Sequence, residues 1–357
     1  MKTTVLVLFG GVSGEHDVSL ISAASVMRNM DREKYEILPM GITNDGRSYL
    51  YTGALEEIEQ NRWEQDAAHL TPAVLSPDRG HHGILVLRGS SFETVRVDVV
   101  FPVLHGKNGE DGTMQGLLTL AGLPFVGCGV TASADCMDKA VTNALADIYG
   151  IPQAKWISFT RHDYDRDPAS CLQRAAEALG FPLFVKPANA GSSLGVSKVT
   201  DAAALAAACA EAFRHDGKLV LEEGILGHEV ECAVLGNDEP QASVVGEIEA
   251  CNEFYDFDAK YLAGTSRLLI PAPLPEETAQ AVRAMAVKAF RAMGCRGLSR
   301  VDFFVRSSDG AVLLNEINTI PGFTSISMYS KLFAASGIPY PALIDRLIAC
   351  ALEEEPK

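Results

Sequence analysis

Arg300-Val301-Asp302-Phe303-Phe304, followed by Leu314-Asn315-Glu316-Ile317-Asn318, is the stretch on which the reading of the fold turns. Each run alternates polar and apolar side chains with the period of a half-buried strand. Alternation sends Arg300 and Asp302 to one face of the first strand and Glu316 and Asn318 to one face of the next. Val301, Phe303, Asn315 and Ile317 take the reverse side. The turn Ser307-Ser308-Asp309-Gly310 joins the runs as a hairpin. A guanidinium, two carboxylates and an amide then converge, provided the register sets Asp302 against Glu316; a slip of one residue would separate them. Hard oxygen donors of this kind suit Mg²⁺, which takes about one or two protein carboxylates and fills its octahedron with water and substrate phosphates. The arginine offers charge to an oxyanion. A hairpin with ordinary solvated charges on its outer face has the same pattern, and the hairpin alone does not decide between the two.

Around the hairpin, residues 222–357 are strand-rich to 250, irregular to 272, helical over 276–293 and closed by a helix from 339, an α+β arrangement. Residues 128–221 read as helix 134–149, strand 155–159, helix 168–179, strand 182–187, a Gly-Ser loop, strand 196–199 and helix 201–213. Residues 1–127 alternate strands 4–9, 36–42 and 98–104 with helices 16–30 and 113–121, an α/β domain with a largely parallel sheet. Within it, the Gly-, Pro- and His-rich stretch 44–94 predicts hairpins and exposed loops away from function. A nucleotide is expected between the second and third units.

The bulk of the chain narrows the classes. Its 357 residues predict two or three domains, and a formal charge of -16 argues against nucleic acid or an anionic membrane as principal partner. Any nucleotide site must therefore gather its cations locally. Eight scattered cysteines, without a C-x-x-C pair or zinc-type spacing, predict free buried thiols in a reducing compartment, the cytoplasm. No apolar run approaches the roughly eighteen residues of a membrane span. Val5-Leu6-Val7-Leu8-Phe9 is too short for a signal peptide and reads as a buried parallel strand ending in a tight turn at Gly10-Gly11.

Several motifs carry chemistry. Phe184-Val185-Lys186-Pro187 leads into a loop with Gly191, Ser192, Ser193 and Gly195, whose N–H groups and hydroxyls suit polyphosphate. The loop enters a strand and lacks G-x-x-x-x-G-K-[ST], so it is not a Walker loop; alone it is equally a mobile hairpin connection. Lys186, and Lys139 of Met137-Asp138-Lys139, add two phosphate partners. Glu222 and Glu229 could accept hydrogen bonds from an adenine amino group or ribose hydroxyls, or be solvated edge charges. Glu15 follows the Gly10-Gly11 turn where a parallel strand gives way to a helix, the ligand-binding end of open α/β sheets, and an acid there suits an ammonium. G-x-G-x-x-G is absent, which disfavours a dinucleotide. His105 ends strand 98–104 and could share that crevice, although a lone His there is commonly structural. Glu253 to Tyr261 mixes aromatics and charges in an irregular stretch, where Lys260 and Tyr261 could close over phosphate and substrate.

In this order, these motifs make the chain resemble the D-alanine–D-alanine ligases of the ATP-grasp superfamily. The resemblance runs from Gly10-Gly11 and Glu15, through His105-Gly106 with Gly109-Glu110-Asp111-Gly112, Met137-Asp138-Lys139, Lys186-Pro187 and Gly191-Ser192-Ser193, to Lys260-Tyr261, Arg300, Asp302, Asn315-Glu316-Ile317-Asn318 and Pro321-Gly322. It implies an N-terminal parallel-sheet (pre-ATP-grasp) domain over 1–127 and a two-part ATP-grasp fold over 128–221 and 222–357. It also implies a bacterial cytoplasmic homodimer that uses ATP and two Mg²⁺ or Mn²⁺ ions, with a monovalent cation as an optional addition, to make the peptidoglycan dipeptide.

By position, the resemblance gives phosphates to Lys139, Lys186 and Lys260 under a loop containing Ser192 and Ser193. Adenine falls to Glu222, ribose to Glu229, further nucleotide contact to Asn315, and the metals to Asp302, Glu316 and Asn318. Glu15 would take the first D-alanine's ammonium, with Ser192, His105, Arg300, Tyr261, Gly322 and Ser327 around the two amino acids. Tyr261 resembles the dipeptide-forming branch, so D-alanine is expected as second substrate, with specificity at Met328; D-serine and D-lactate stay open.

Overall fold

Val5 through Phe9 are at most 1% exposed, buried on both faces as a parallel strand requires. They form the centre of β1 (Thr3–Gly10) in the computed structural model, which describes residues 2–249, 267–324 and 326–353. The first sheet comprises β1, β2 (Tyr35–Ile42), β3 (Ser48–Tyr51), β4 (Leu70–Leu75), β5 (Gly83–Arg88), β6 (Ser91–Arg96) and β7 (Val99–Pro102). Their order is β6-β5-β4-β3-β2-β1-β7. Only β2, β1 and β7 are parallel to one another, with helix His16–Asn29 crossing between β1 and β2. The hairpins expected over 44–94 do form, and they extend this parallel centre with antiparallel strands.

The second sheet is antiparallel, in the order β10-β9-β11-β8, from β8 (Trp156–Thr160), β9 (Leu183–Pro187), β10 (Ser197–Val199) and β11 (Lys218–Glu223). Helices Pro168–Leu179 and Ala202–Ala212 cover one face, packing Ala175 and Cys209 against Val185 and Leu219. The third sheet runs β14-β13-β12-β15-β16, from β12 (Gly227–Gly236), β13 (Gln241–Glu249), β14 (Arg267–Leu269), β15 (Gly297–Arg306) and β16 (Val312–Asn318). Helix Glu276–Ala292 packs Val282, Ala286 and Phe290 on one of its faces. On the other, Ala233 and Leu298 share a core with helices Met328–Ala335 and Tyr340–Leu352 and with Val5 and Phe101 of the first sheet. The chain's last helix thus packs against its first domain, where Asp345 accepts hydrogen bonds from Tyr35 Oη at 2.8 Å and Lys34 Nζ at 2.7 Å.

The single helix expected over 134–149 is two, Val130–Met137 and Lys139–Ile148. Asp138 breaks it: its backbone is extended (ψ 101°) and its carboxylate accepts from Ala140 N and Val141 N, capping the second helix. The thiols behave as expected. Among the described residues all seven cysteines are free, and only Cys350 is not fully buried. No helix among those residues is long and apolar enough to cross a membrane.

Candidate active site

The hairpin register opposes Asp302 to Glu316 and Arg300 to Asn318, so the four polar side chains meet. Arg300 grips Asp302 bidentately, Nε to Oδ1 at 2.8 Å and Nη2 to Oδ2 at 2.6 Å, and Asn318 Nδ2 donates to Asp302 Oδ2 at 3.0 Å. Across β12, Glu231 stands opposite Asp302 with its Oε2 3.1 Å from Arg300 Nε. Burial opposes the guanidinium's charge, but Asp302 and Glu231 outweigh it and hold its pKa well above the ordinary arginine value.

One side chain departs from the alternation. A bulge after Asp302 pairs Phe303 with Leu314, leaving Asn315 as the unpaired extra residue. Asn315 was expected on the reverse face; instead it lines, with Glu316, the junction of two cavities.

The smaller cavity, about 260 Å³, lies between the second and third sheets and is bordered by Lys139, Lys186, Ser192, Ser193, Glu222 and Glu229. Phe184, Leu226 and Phe304 give it apolar walls. Lys186 reaches it from the end of β9 and donates to Glu222 Oε2 at 2.6 Å, while Asn143 Nδ2 donates to Glu222 Oε1 at 3.1 Å. Burial lowers the Lys186 pKa, but Glu222 more than offsets it and the net shift is upward, so the lysine stays charged. Glu222 is therefore the lysine's counter-ion. Its oxygens still have lone pairs for a further donor. Lys139, first in its helix, donates from Nζ to Ala190 O at 2.7 Å, at the foot of the Gly-Ser loop. In that loop Ser192 and Ser193 hold left-handed backbone at φ 49° and 58°, a conformation uncommon for residues other than glycine.

The larger cavity, about 550 Å³, continues past Asn315 and Glu316 to Glu15, His105, Arg300 and Ser327. Glu15 Oε1 accepts a short hydrogen bond from Ser192 Oγ. A Cβ at Gly106 would come within 2.5 Å of Glu15 Oε2, and one at Gly191 within 3.0 Å, so a side chain at Gly106 would displace the carboxylate and one at Gly191 would crowd it. Both ring nitrogens of buried His105 are used internally, Nδ1 at 3.1 Å from Ile320 O and Nε2 at 3.2 Å from Ser22 Oγ. Burial depresses its pKa, leaving a neutral ring at the cavity wall. Ser327 precedes helix Met328–Ala335, and its Oγ accepts from Thr324 N at 3.0 Å; a Cβ on Gly322 would come within 2.8 Å of that oxygen.

Lys260 and Tyr261 lie outside the described residues. Two acids were given no role of their own by the sequence reading. Glu231 was visible only as alternate to Glu229 on β12. Glu110, in the Gly109-Glu110-Asp111-Gly112 turn, borders the larger cavity and accepts from Gly106 N at 2.6 Å. Burial, reinforced by the Glu15 charge, pushes its pKa up to about 8.

Asp302, Glu316 and Asn318 form an oxygen donor set that fits Mg²⁺. Among the described residues no three His, Cys, Asp or Glu side chains gather closely enough to hold a metal unaided. Phosphate oxygens and water would complete the shell, as Mg²⁺ ordinarily requires.

The family model for the D-ala D-ala ligase N-terminus matches residues 4–128, and that for the D-ala D-ala ligase C-terminus matches residues 145–349. A D-alanine–D-alanine ligase of Caldicellulosiruptor bescii is 48% identical over 353 residues, covering 99% of this chain and 96% of that protein. One of Acetivibrio thermocellus is 49% identical over 363 residues, with the same coverage. Among solved structures, the VanG D-Ala:D-Ser ligase from Enterococcus faecalis superposes with a TM-score of 0.90 at 42% identity, covering 98% of this chain and 100% of that one. The D-alanine-D-alanine ligase from Coxiella burnetii gives 0.86 at 36% identity, covering 98% and 94%.

Proposed function

This chain belongs to the D-alanine–D-alanine ligase family, and from that premise we propose that it joins two D-alanines into D-alanyl-D-alanine with ATP, for peptidoglycan precursors. The observation that carries the reading is the junction at Asn315 and Glu316, where a cavity bordered by Lys139, Lys186 and the Ser192-Ser193 loop opens into one lined by Glu15, Arg300 and Ser327. The working units are 1–127, with the first amino-acid site, 128–221, with the phosphate loop, and 222–357, with the metal donors. Free thiols favour the cytoplasm.

In this reading Lys139 and Lys186 neutralise phosphates under the Ser192-Ser193 loop, Glu222 and Glu229 meet adenine and ribose, and Asn315 lies alongside the nucleotide. Asp302, Glu316 and Asn318 would hold two divalent ions, Mg²⁺ or Mn²⁺, whose chemistry is to neutralise charge on the phosphates. Glu15 binds the first D-alanine's ammonium and so aims its carboxylate at the γ-phosphate. In-line attack gives D-alanyl phosphate and ADP. The second D-alanine's ammonium gives one proton to solvent, its amine attacks the acyl carbon, and phosphate leaves from the tetrahedral intermediate with the nitrogen's second proton. No protein nucleophile is needed, because positioning and charge neutralisation do most of the work in phosphoryl transfer. Arg300 and the backbone near Gly322 face the developing oxyanion, with His105 and Ser327 shaping the site.

The likeness to a D-Ala:D-Ser ligase supports a second reading, with D-serine as acceptor. Met328, 4% exposed, borders the larger cavity and is the described residue best placed to size that acceptor. The test is a competition of D-alanine, D-serine and D-lactate with ATP and Mg²⁺, products being identified by mass spectrometry. D-alanyl-D-alanine with one ADP per dipeptide is expected. A serine-containing product in excess favours the second reading, and no D-alanine-dependent ADP release ends both.

A further inference from the structure

We propose that Glu231 is a positioning residue that holds Arg300 in place when Asp302 turns to a divalent ion. The inference rests on the ligase reading, which gives Asp302 to the metal and Arg300 to the reacting acyl group. Those two roles compete. Arg300 occupies both oxygens of Asp302, at 2.8 and 2.6 Å, and these are the oxygens a metal would take. Once Asp302 is drawn away, a buried guanidinium would either follow it or be left without counter-charge, and an uncompensated buried charge is strongly unfavourable.

The sheet supplies the alternative. β15 lies between β12 and β16, so the other metal donors, Glu316 and Asn318, come from one side and Glu231 from the opposite side. Glu231 is 6% exposed, pairs across the strands with Asp302, and sets its Oε2 3.1 Å from Arg300 Nε. Ala233, the β12 partner of Arg300 itself, is small and leaves the guanidinium room to lie against Glu231. Asp302 can thus turn toward β16 while Arg300 stays on the β12 side, its charge balanced and its Nη groups toward the larger cavity.

Glu231→Gln preserves shape and removes the charge. Mg²⁺ is titrated calorimetrically into the ADP-loaded wild type and variant, a readout independent of turnover. With its second partner gone, Arg300 retains its hold on Asp302, and half-saturating Mg²⁺ should rise about tenfold, on the scale of a partly offset buried charge pair. A purely structural role would lower the metal-free thermal midpoint and leave the Mg²⁺ requirement unchanged; an unchanged requirement overturns the proposal. If Glu231→Gln does not fold, Glu231→Asp, which withdraws the carboxylate by one bond, is measured instead. There a rise of about threefold is expected, and a wild-type Mg²⁺ requirement again overturns it. Failure of the ligase reading shows separately, as wild-type protein that releases no ADP in response to D-alanine.

Discussion

Glu15 is confined by the Ser192 hydroxyl and by two glycines that a methyl group would push into it. Gly106→Ala adds that methyl at a left-handed φ of 70°, 2.5 Å from the carboxylate. We expect the KM for the first D-alanine to rise about tenfold or more with a smaller change in kcat, since ammonium binding is what the displacement disturbs. At the other end of the cavity, Glu316→Ala should abolish D-alanine-dependent ADP release while circular dichroism stays native; near-normal turnover would remove its metal assignment. Asp302 and Glu316 were legible because a period of two is a property of the sequence itself. Alternation set Asn315 on the wrong face, and only the resemblance marked it, because a bulge adds one residue to a strand without marking the pattern that contains it. Glu231 and Glu110 owe their character to contacts across strands and to burial, which no local spacing encodes.

At the scale of the element, the break at Asp138 decides where Lys139 stands. The Asp138 carboxylate caps the helix Lys139–Ile148 and also pairs with Lys218 on β11. Asp138→Ala removes both, costing about 1 kcal/mol or somewhat more in stability, the ordinary worth of an N-cap. It should lower the thermal midpoint and raise the KM for ATP together, because the helix start carries Lys139, the proposed phosphate lysine. A lowered midpoint with unchanged KM would show that Lys139 is not placed by its cap. The apolar periodicity continues through residues 134–149, which hides the break. Helix Met328–Ala335 was missed for the opposite reason: Pro321-Gly322 announces a loop, and its apolar face becomes meaningful only against Ala233 and Leu298. By contrast, helix Pro168–Leu179 has the predicted bounds, with Asp167 capping it and proline in its first turn.

For the whole molecule, the mixed α/β and α+β fold class was readable, but the packing of the last helix against the first sheet was not. Contacts such as Asp345 to Tyr35 lie 310 residues apart, beyond the reach of periodicity. Stability of the assembled fold should carry the signature of Glu110. Its pKa is raised by burial from the ordinary 4.5 to about 8. Below the lower value both folded and unfolded chains are protonated, and this residue's contribution is fully present. As pH rises toward the upper value, the unfolded chain has lost a proton that the folded chain keeps, and the contribution is lost. Thermal melts from about pH 5 to 8 should therefore show a decline that Glu110→Gln flattens; parallel curves for the two proteins would refute the assignment.

The Ser192–Glu15 hydrogen bond joins a loop over one cavity to an acid in the other, across 177 residues of sequence. In the proposed reading an arriving ammonium would share that carboxylate with the serine, so the loop would be tethered differently before and after the amino acid binds. On that reading, the affinities for D-alanine of the empty enzyme and of the nucleotide complex are expected to be two distinct constants. By thermodynamic reciprocity, D-alanine must alter nucleotide affinity by the same factor.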